Sequence, residues 1–259
     1  MSKSGEKGNY QIQSVERAID VLEVFSRRKP ILSLPEIAEA AGLSKATTYR
    51  LLVTLQARGM ISKRADNIYF CLGPAVAGLA AVRHSHAGLL DLAIAEMRLI
   101  RDALDETVSL GARNGSMRVQ LHQAEGFRLP RRGSMSGDSS PLYAGASNKL
   151  LLSAMEDAEI RAYLAETELR ALTPMTITDP EMLWAEVVRI RGDGFAESRE
   201  EKFLGGASLA APIRGADGQV VAALSVSVPM ERFVLEHRQH CLETLLDRAG
   251  AISQELGFT

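Results

Sequence analysis

The chain has 259 residues, of which 46% are hydrophobic, and 30 Lys and Arg against 32 Asp and Glu give a formal net charge of −2 at pH 7. This length accommodates two domains, each large enough to bury a hydrophobic core. No apolar run approaches the roughly 20 residues that cross a bilayer, and the polar start lacks the apolar segment of a signal peptide. We therefore expect a cytoplasmic protein without a membrane partner.

The charge is unevenly distributed along the chain. Residues 1–75 contain 11 Lys and Arg against 7 Asp and Glu, whereas residues 76–259 contain 19 against 25. A basic end on an otherwise acidic chain is typical of a nucleic-acid-binding module. The distribution therefore favours DNA as a partner of the first part of the chain.

The first predicted element is a helix over residues 14–25. Ser14 is its expected N-cap, since a serine side chain can accept a hydrogen bond from a free N–H group of the first turn. The apolar residues that recur at helical spacing predict one buried face. They are Val15, Ala18, Ile19, Leu22 and Phe25.

Two short amphipathic helices separated by a tight turn follow within residues 33–72. Leu34, Ile37 and Ala38 mark the first, Gly42 interrupts the pattern, and Ser44 is the expected N-cap of the second. The second helix begins near Lys45 and has a buried stripe. That stripe consists of Thr48, Leu51, Leu52 and Leu55.

The second helix leaves polar side chains free near its N-terminal end. In helix-turn-helix proteins this end enters the major groove of duplex DNA and contacts base edges. We therefore predict DNA contacts around the cap residue Ser44. The contacting side chains would be Lys45, Thr47, Tyr49 and Arg50.

A hairpin completes the pattern of a winged helix-turn-helix. Gly59 ends the helix, and residues 60–63 and 68–72 predict two strands around a polar turn at 64–67. Lys63 and Arg64 lie where a wing approaches the phosphate backbone, a contact that sets register and affinity. Taken alone, two helices with a glycine between them also occur in helical proteins that bind no DNA.

The second part of the chain predicts an α+β domain. Gly73 and Pro74 end the wing, so we place a DNA-binding domain at 1–73, a linker helix at 74–88 and a second domain at 89–259. A longer helix over 89–104 opens the second domain. Strands are predicted at 107–113, 117–123, 207–213 and 220–228, and helices at 147–155, 157–165, 180–192 and 231–256. Strands gathered with flanking helices favour an antiparallel sheet.

The strand at 220–228 is apolar except for Ser225 and Ser227. These two serines are two residues apart, so they face the same side of a sheet. Two buried hydroxyls without partners would cost about 1–3 kcal/mol each, so polar groups should meet them. Those groups are either backbone carbonyls of a neighbouring strand or a bound ligand, and the residues alone do not decide between them.

Several separated motifs in one order resemble the IclR family of bacterial transcriptional regulators. VERAIDVLEVF, LSLPEIAEAAGLSKATTYRLLVTLQARGMI and YFCLG are similar to the family's DNA-binding domain. The similarity continues through PLYAGASNKLLLSA, GFAESREEKFLGGASLAAPI and GQVVAALSVSVP, so it covers nearly the whole chain.

The resemblance implies a GAF-like effector-binding domain, a double-stranded DNA operator, a small-molecule effector, and homodimers that pair into tetramers. It also implies that the linker helix contributes to dimerisation. The hydroxyl and backbone donors of the implied pocket suit a small organic acid. Where relatives often have Asp, Cys and His, this chain has Ser198, Ser208 and Tyr143, which implies a less acidic pocket with an aromatic wall at Tyr143 and extends the expected effectors to aromatic metabolites. The implied pocket residues are Ala144, Gly145, Ala146, Ser198, Ser208, Ser225 and Ser227.

Enzymatic interpretations find little support in the residues. The chain has no GxSxG, GxxxxGK[ST] or HExxH motif. Neither the pair His84 and His86 nor the pair His237 and His240 has an accompanying cluster of carboxylate or thiolate ligands in the sequence, and Cys71 and Cys241 have no CxxC partner. We therefore expect no metal and no cofactor. We therefore predict an effector-controlled DNA-binding regulator, either a repressor or an activator. The alternatives are a DNA-binding regulator without small-molecule input and a metabolic enzyme.

Overall fold

The computed structural model describes residues 12–26, 29–64, 68–85, 88–128 and 137–258, and for residues 80–85 it describes the backbone alone. The chain divides into two compact units, Met1–His86 and Ala87–Thr259. No helix in these described ranges is both long and apolar enough to cross a membrane.

The first unit is a helical domain with a small sheet. Strand β3 lies between β1 and β2 and is antiparallel to both. The two-residue strand β1 is absent from the sequence prediction because it is too short for alternation to show. The elements are α1 (Gln13–Glu23), β1 (Leu32–Ser33), α2 (Leu34–Ala40), α3 (Lys45–Ala57), β2 (Ile61–Lys63), β3 (Tyr69–Leu72) and α4 (Pro74–Ser85).

Helices α2 and α3 form the predicted helix-turn-helix. The backbone N–H of Ser33 donates to the Glu36 carboxylate at 2.7 Å, which is half of a capping box at the start of α2. Gly42 adopts a φ of +64° in the turn, a conformation that glycine takes without strain. The Thr47 N–H donates to Ser44 Oγ at 3.2 Å, so the predicted cap of α3 is confirmed.

Helix α1 differs from its prediction in cap and face. It begins at Gln13 with Ile12 in the N-cap position, so Ser14 lies inside the first turn and is not the cap. Val15 and Ile19 are about half exposed, whereas Val21, absent from the predicted stripe, is fully buried. The reason is that only the C-terminal half of the helix packs against the core, where Phe25 is also buried.

The second unit is a six-stranded, fully antiparallel sheet with helices on both faces, in the strand order β6-β5-β4-β9-β8-β7. The edge strands β6 and β7 are short, and the sequence prediction lacks both. Because a 3-10 turn occupies Met230–Arg232, the last helix begins at Leu235, whereas the sequence predicted a start at residue 231. The elements are α5 (Gly88–Leu104), β4 (Thr107–Asn114), β5 (Met117–Ala124), β6 (Ser139–Pro141), α6 (Ala146–Ser153), α7 (Asp157–Glu166), α8 (Pro180–Asp193), β7 (Ala196–Arg199), β8 (Gly206–Arg214), β9 (Val220–Pro229) and α9 (Leu235–Glu255).

The two faces of this sheet have different side chains because residues alternate along each strand. One face carries large apolar residues such as Leu110 and Leu224 and packs against α5 and α9. The other carries small residues, among them Ala196, Ala210 and Ala223, and packs against α6 and α8. The small residues leave space above the second face, and the cavity described below lies there.

Candidate functional site

The exposed face of α3 carries most of the side chains predicted to contact DNA. Lys45, Tyr49 and Arg50 are exposed, while Thr48 on the opposite side is fully buried. Thr47 is partly buried, and its Oγ1 lies 2.9 Å from Ser44 Oγ. The hydroxyl of Thr47 is therefore engaged with the helix cap, whereas the other three side chains project into solvent.

Two exposed residues that the sequence prediction omitted share this face. Ala46 and Val53 lie one and eight positions after Lys45, and Val53 is 49% exposed. Exposed methyl groups on a recognition helix can pack against the methyl group of thymine. Helical spacing from Lys45 places both residues on this face, but the prediction named neither of them.

The predicted wing residues lie at the end of β2. Lys63 Nζ is 5.5 Å from the centroid of the Phe70 ring, so its side chain is held against β3. Arg64 is exposed, and its backbone N–H donates to the carbonyl of Tyr69 at 2.9 Å. Residues 65–67 of the predicted turn lie outside the described residues.

In the second unit, strand register brings four of the predicted serines together. Ser227 of β9 pairs with Ser208 of β8, which in turn pairs with Ser198 of β7. Ser225 pairs with Ser109 of β4, and its hydroxyl donates to the Ser109 carbonyl at 3.4 Å. The backbone partner considered in the sequence analysis is therefore present, at a long distance, and these serines line a common cavity.

The N-terminus of α6 forms the roof of this cavity. Gly145 adopts a φ of +95°, which directs the following N–H groups toward the sheet. The N–H of Gly145 donates to Glu201 Oε2 at 3.2 Å, and that of Ala146 donates to Ser208 Oγ at 3.4 Å. Since backbone N–H groups at a helix N-terminus attract anions, the roof suits a carboxylate.

The cavity has a volume of about 60 Å³ and contains six of the seven predicted pocket residues. The seventh, Ala144, is buried in the core beside it and does not line the cavity. Tyr143, expected as an aromatic wall, also packs in this core, and its hydroxyl donates to the carbonyl of Arg170 at 3.1 Å. The predicted residues that do line it are Gly145, Ala146, Ser198, Ser208, Ser225 and Ser227.

Two cations also line the cavity, and the sequence analysis missed both. Arg118 of β5 is 3% exposed, and burial lowers the pKa of its guanidinium to about 10. Burial and the charge of Arg118 lower the pKa of Lys202 to about 8, although Asp138 opposes this shift. Since the Glu201 carboxylate also lines the cavity, the described residues of the lining include two cationic side chains and one acidic side chain, which corrects the expectation of a lining made only of hydroxyls and backbone.

A buried ion network supports the roof of the cavity. Lys149 of α6 is 1% exposed, and its Nζ lies 2.6 Å from Glu186 Oε1 and 2.5 Å from Glu201 Oε1. Glu201 thus contacts Lys149 through one oxygen and the Gly145 N–H through the other. The network joins α6, α8 and the segment between β7 and β8.

His237 has partners within the protein. Its Nε2 lies 3.2 Å from Glu106 Oε1 and 3.6 Å from Cys241 Sγ, and Glu106 also accepts two hydrogen bonds from Arg232. Burial, with the nearby Glu106 charge, raises the pKa of the Cys241 thiol to about 12. Within the described ranges, no three His, Cys, Asp or Glu side chains are grouped as metal ligands.

Comparison with known proteins agrees with both units. Residues 14–65 match the IclR helix-turn-helix domain, and residues 82–254 match the bacterial transcriptional regulator IclR C-terminal domain. The regulator BhcR of Paracoccus denitrificans is 32% identical, over 98% of this chain and 89% of its own.

Solved structures have the same architecture. An IclR transcriptional regulator from Silicibacter sp. superposes with a TM-score of 0.88 at 27% identity, covering 95% of this chain and 97% of that one. An IclR homologue from Microbacterium hydrocarbonoxydans, solved with 4-hydroxybenzoate, has a TM-score of 0.83 at 22% identity, covering 94% of this chain and 98% of that one. The second similarity shows the fold alone.

The fold and the matches define a winged helix-turn-helix transcriptional regulator with a C-terminal α+β domain. The chain belongs to the IclR family. The predicted fold class is confirmed, and the named relatives are transcriptional regulators, as predicted for this chain.

Proposed function

We propose that this chain binds a specific DNA operator and that a small organic acid in the cavity of its second unit controls this binding. The observation that carries the proposal is the convergence of the α6 N-terminus, four serines and buried Arg118 on one cavity. Helix N–H groups, hydroxyls and a guanidinium all donate hydrogen bonds to a carboxylate. The homologue solved with 4-hydroxybenzoate indicates that this fold can hold a carboxylic acid.

For DNA recognition, we assign base and phosphate contacts to different elements. The N-terminal end of α3, beginning at the cap Ser44, would enter the major groove, and the wing would contact phosphates through Lys63 and Arg64. The exposed side chains near the α3 N-terminus support this assignment. The groove residues would be Lys45, Thr47, Tyr49 and Arg50.

We further propose that the chain acts as a homodimer, or as a tetramer of paired dimers, on a pseudo-palindromic operator. Two-fold symmetry of the protein requires two half-sites separated by whole turns of the double helix. Bound acid would favour one of two arrangements of the paired chains and so change operator affinity. The helix α4, within the proposed linker at 74–88, would transmit this change.

Two substitutions separate the two parts of the proposal. Arg50→Ala should weaken binding to a selected operator by roughly 5- to 150-fold, the value of one good base contact. Ser225→Ala should retain operator affinity within about twofold but shift the acid concentration that changes binding. Fluorescence anisotropy with a labelled operator duplex measures both effects.

The control is Arg170→Ala. This exposed arginine pairs with the exposed Glu168 and belongs neither to α3 nor to the lining of the cavity. It should change neither affinity nor response. If a panel of carboxylic acids leaves operator affinity unchanged in the unmodified chain, control by an organic acid is wrong, and the alternative of a regulator without small-molecule input is favoured. If Arg50→Ala binds the operator as tightly as the unmodified chain, the assignment of α3 as the reading helix is wrong.

A further inference from the structure

Among the residues that the structure describes, no carboxylate forms an ion pair with the buried guanidinium of Arg118. Gln120 Oε1 accepts a hydrogen bond from Arg118 Nη2 at 2.5 Å, and Gln120 Nε2 donates to the His122 carbonyl at 2.7 Å. Arg118 Nε, by contrast, has no hydrogen-bond partner among the residues that the structure describes. A buried cation without an anion is costly, so an anion should meet it in some state of the protein.

The sheet provides a defined place for this guanidinium. Gly111 of β4 lies beneath it, and a Cβ at this position would come within 2.2 Å of Arg118 Nε. Gly111 therefore leaves the space in which the guanidinium lies. Gln120 fixes the guanidinium from the side, so the donor is oriented before any ligand arrives.

The cavity thus has two groups of donors, on opposite sides of the central strand β9. One group is the guanidinium of Arg118 above Gly111 on β4, and the other is the α6 N-terminus with Ser208 on β8. Two strand spacings separate β4 from β8, which is about 9.5 Å. Subtracting a hydrogen bond of about 2.9 Å at each end leaves about 4 Å between the two acceptors.

A single carboxylate is too short for that distance. Its two oxygens are only about 2.2 Å apart by ordinary bond geometry, so it can satisfy one group of donors and leaves the other without an acceptor. The volume of about 60 Å³ is small, so the acid must be short. The available length and the small volume together favour a short aliphatic chain with an acidic group at each end.

We infer that the effector is a short dicarboxylate, with one carboxylate at the α6 N-terminus and Ser208 and the other on Arg118. This inference rests on the proposed function, because it specifies the acid that the cavity would hold. Lys202 lines the same cavity and adds a second cation. Arg118 is then the residue that distinguishes diacids from monoacids, since its charge is compensated only by a second carboxylate.

Isothermal titration of the full chain with acids of equal carbon number tests this inference. The pairs are malonate with propionate, succinate with butyrate, and glutarate with valerate. At least one diacid should bind tenfold or more tightly than its monoacid partner. Arg118→Met should reduce this ratio to about one, and Arg118→Lys should retain part of it, because lysine keeps the charge but not the forked donors.

Two further variants separate a local effect from a general loss of charge or fold. Arg113→Met removes a half-exposed arginine of β4, which lies 3.8 Å from Glu159, and should leave the diacid preference unchanged. Gly111→Ala keeps the charge of Arg118 but displaces its guanidinium, so the preference should fall as it does in Arg118→Met. Circular dichroism verifies that each variant is folded.

Equal affinities for diacids and monoacids, or a diacid preference that survives both Arg118→Met and Gly111→Ala, would overturn the inference. So would the absence of binding by every acid in the three pairs. These results leave the proposed function standing if another compound changes operator affinity. If no compound does so, the proposed function fails as well.

Discussion

Lys202 lies partly buried beside the cavity, on the segment between β7 and β8. Burial and the charge of Arg118 lower its pKa to about 8 from an ordinary 10.5, although Asp138 opposes this shift. A lysine with this pKa is largely protonated at pH 7 and largely neutral at pH 9. The charge of the cavity therefore changes within a range where binding can be measured.

We predict that affinity for a bound acid is constant below about pH 8 and falls above it. An anion raises the pKa of Lys202, so binding above pH 8 requires proton uptake, which weakens affinity by at most about tenfold per pH unit. Titration calorimetry between pH 6.5 and 9.5 measures this profile, and Lys202→Met should make it flat. A profile that falls equally in Lys202→Met would show that another group titrates.

The free energy of unfolding of the ligand-free protein should rise with pH, whereas acid affinity falls. Because the folded pKa of about 8 lies below the ordinary 10.5, the unfolded chain binds more protons between these values. Stability should therefore rise with pH across this window as far as Lys202 is concerned. Comparing the unmodified chain with Lys202→Met isolates this contribution.

Individual pocket residues differed in how well the sequence predicted them. Ser225 and Ser227 stood out because hydroxyls interrupt an apolar strand at alternate positions. Arg118 and Gln120 are two residues apart on β5 and therefore share one face of the sheet. A polar strand face does not by itself indicate a binding site, since such a face usually lies in solvent. Ala144 and Tyr143 were assigned to the cavity from resemblance, whereas their backbone directs both side chains into the core.

Helix α6 is held in place by a buried lysine, an arrangement that the sequence did not reveal. Burial raises the pKa of Glu186, but hydrogen bonds from Arg189 and Lys149 outweigh this effect and hold it at about 2. The stabilisation that Glu186 provides is present above its ordinary pKa of 4.5 and is lost as the pH falls from there toward 2. The Glu186 carboxylate therefore remains charged at neutral pH.

We predict that Lys149→Met strongly destabilises the second unit. The substitution leaves Glu186 and Glu201 without their shared cation, which costs about 3–5 kcal/mol in a buried network. Tm should fall by roughly 6–20 °C. The matched control is Arg170→Ala, which breaks the fully exposed pair with Glu168 and should leave Tm within about 2 °C.

Differential scanning calorimetry resolves the two variants. Equal Tm values for Lys149→Met and the unmodified chain would show that the network contributes nothing to stability. Acid binding should also weaken in Lys149→Met, because Glu201 then loses the cation that holds it beside Gly145. Lys149 is in this sense a positioning residue.

At the scale of elements, the sequence predicted what periodicity and capping determine. The helix-turn-helix has its cap at Ser44, and the long strands β8 and β9 have the expected alternation. The short strands β1, β6 and β7 were missed because two to four residues carry no measurable period. The buried face of α1 was misplaced because tertiary contacts reach only half of that helix.

For the whole molecule, charge and fold divide the chain in the same way. The basic part of the sequence, residues 1–75, contains the winged helix-turn-helix, and the acidic remainder contains the cavity. A basic domain promotes association with DNA phosphates, while sequence preference comes from base contacts, which we propose for side chains on α3. Control by an acid then requires that its binding energy differ between two states of the paired chains.

Selection of duplexes from a random pool by the purified full-length chain tests the central claim most directly. The selection is carried out at about 0.15 M salt, where nonspecific phosphate binding is weak, without acid and with succinate or glutarate. The account predicts enrichment of one pseudo-palindromic motif, with half-sites one or more helical turns apart, whose affinity changes when the diacid is added. Failure to enrich any motif in every ligand state would contradict it.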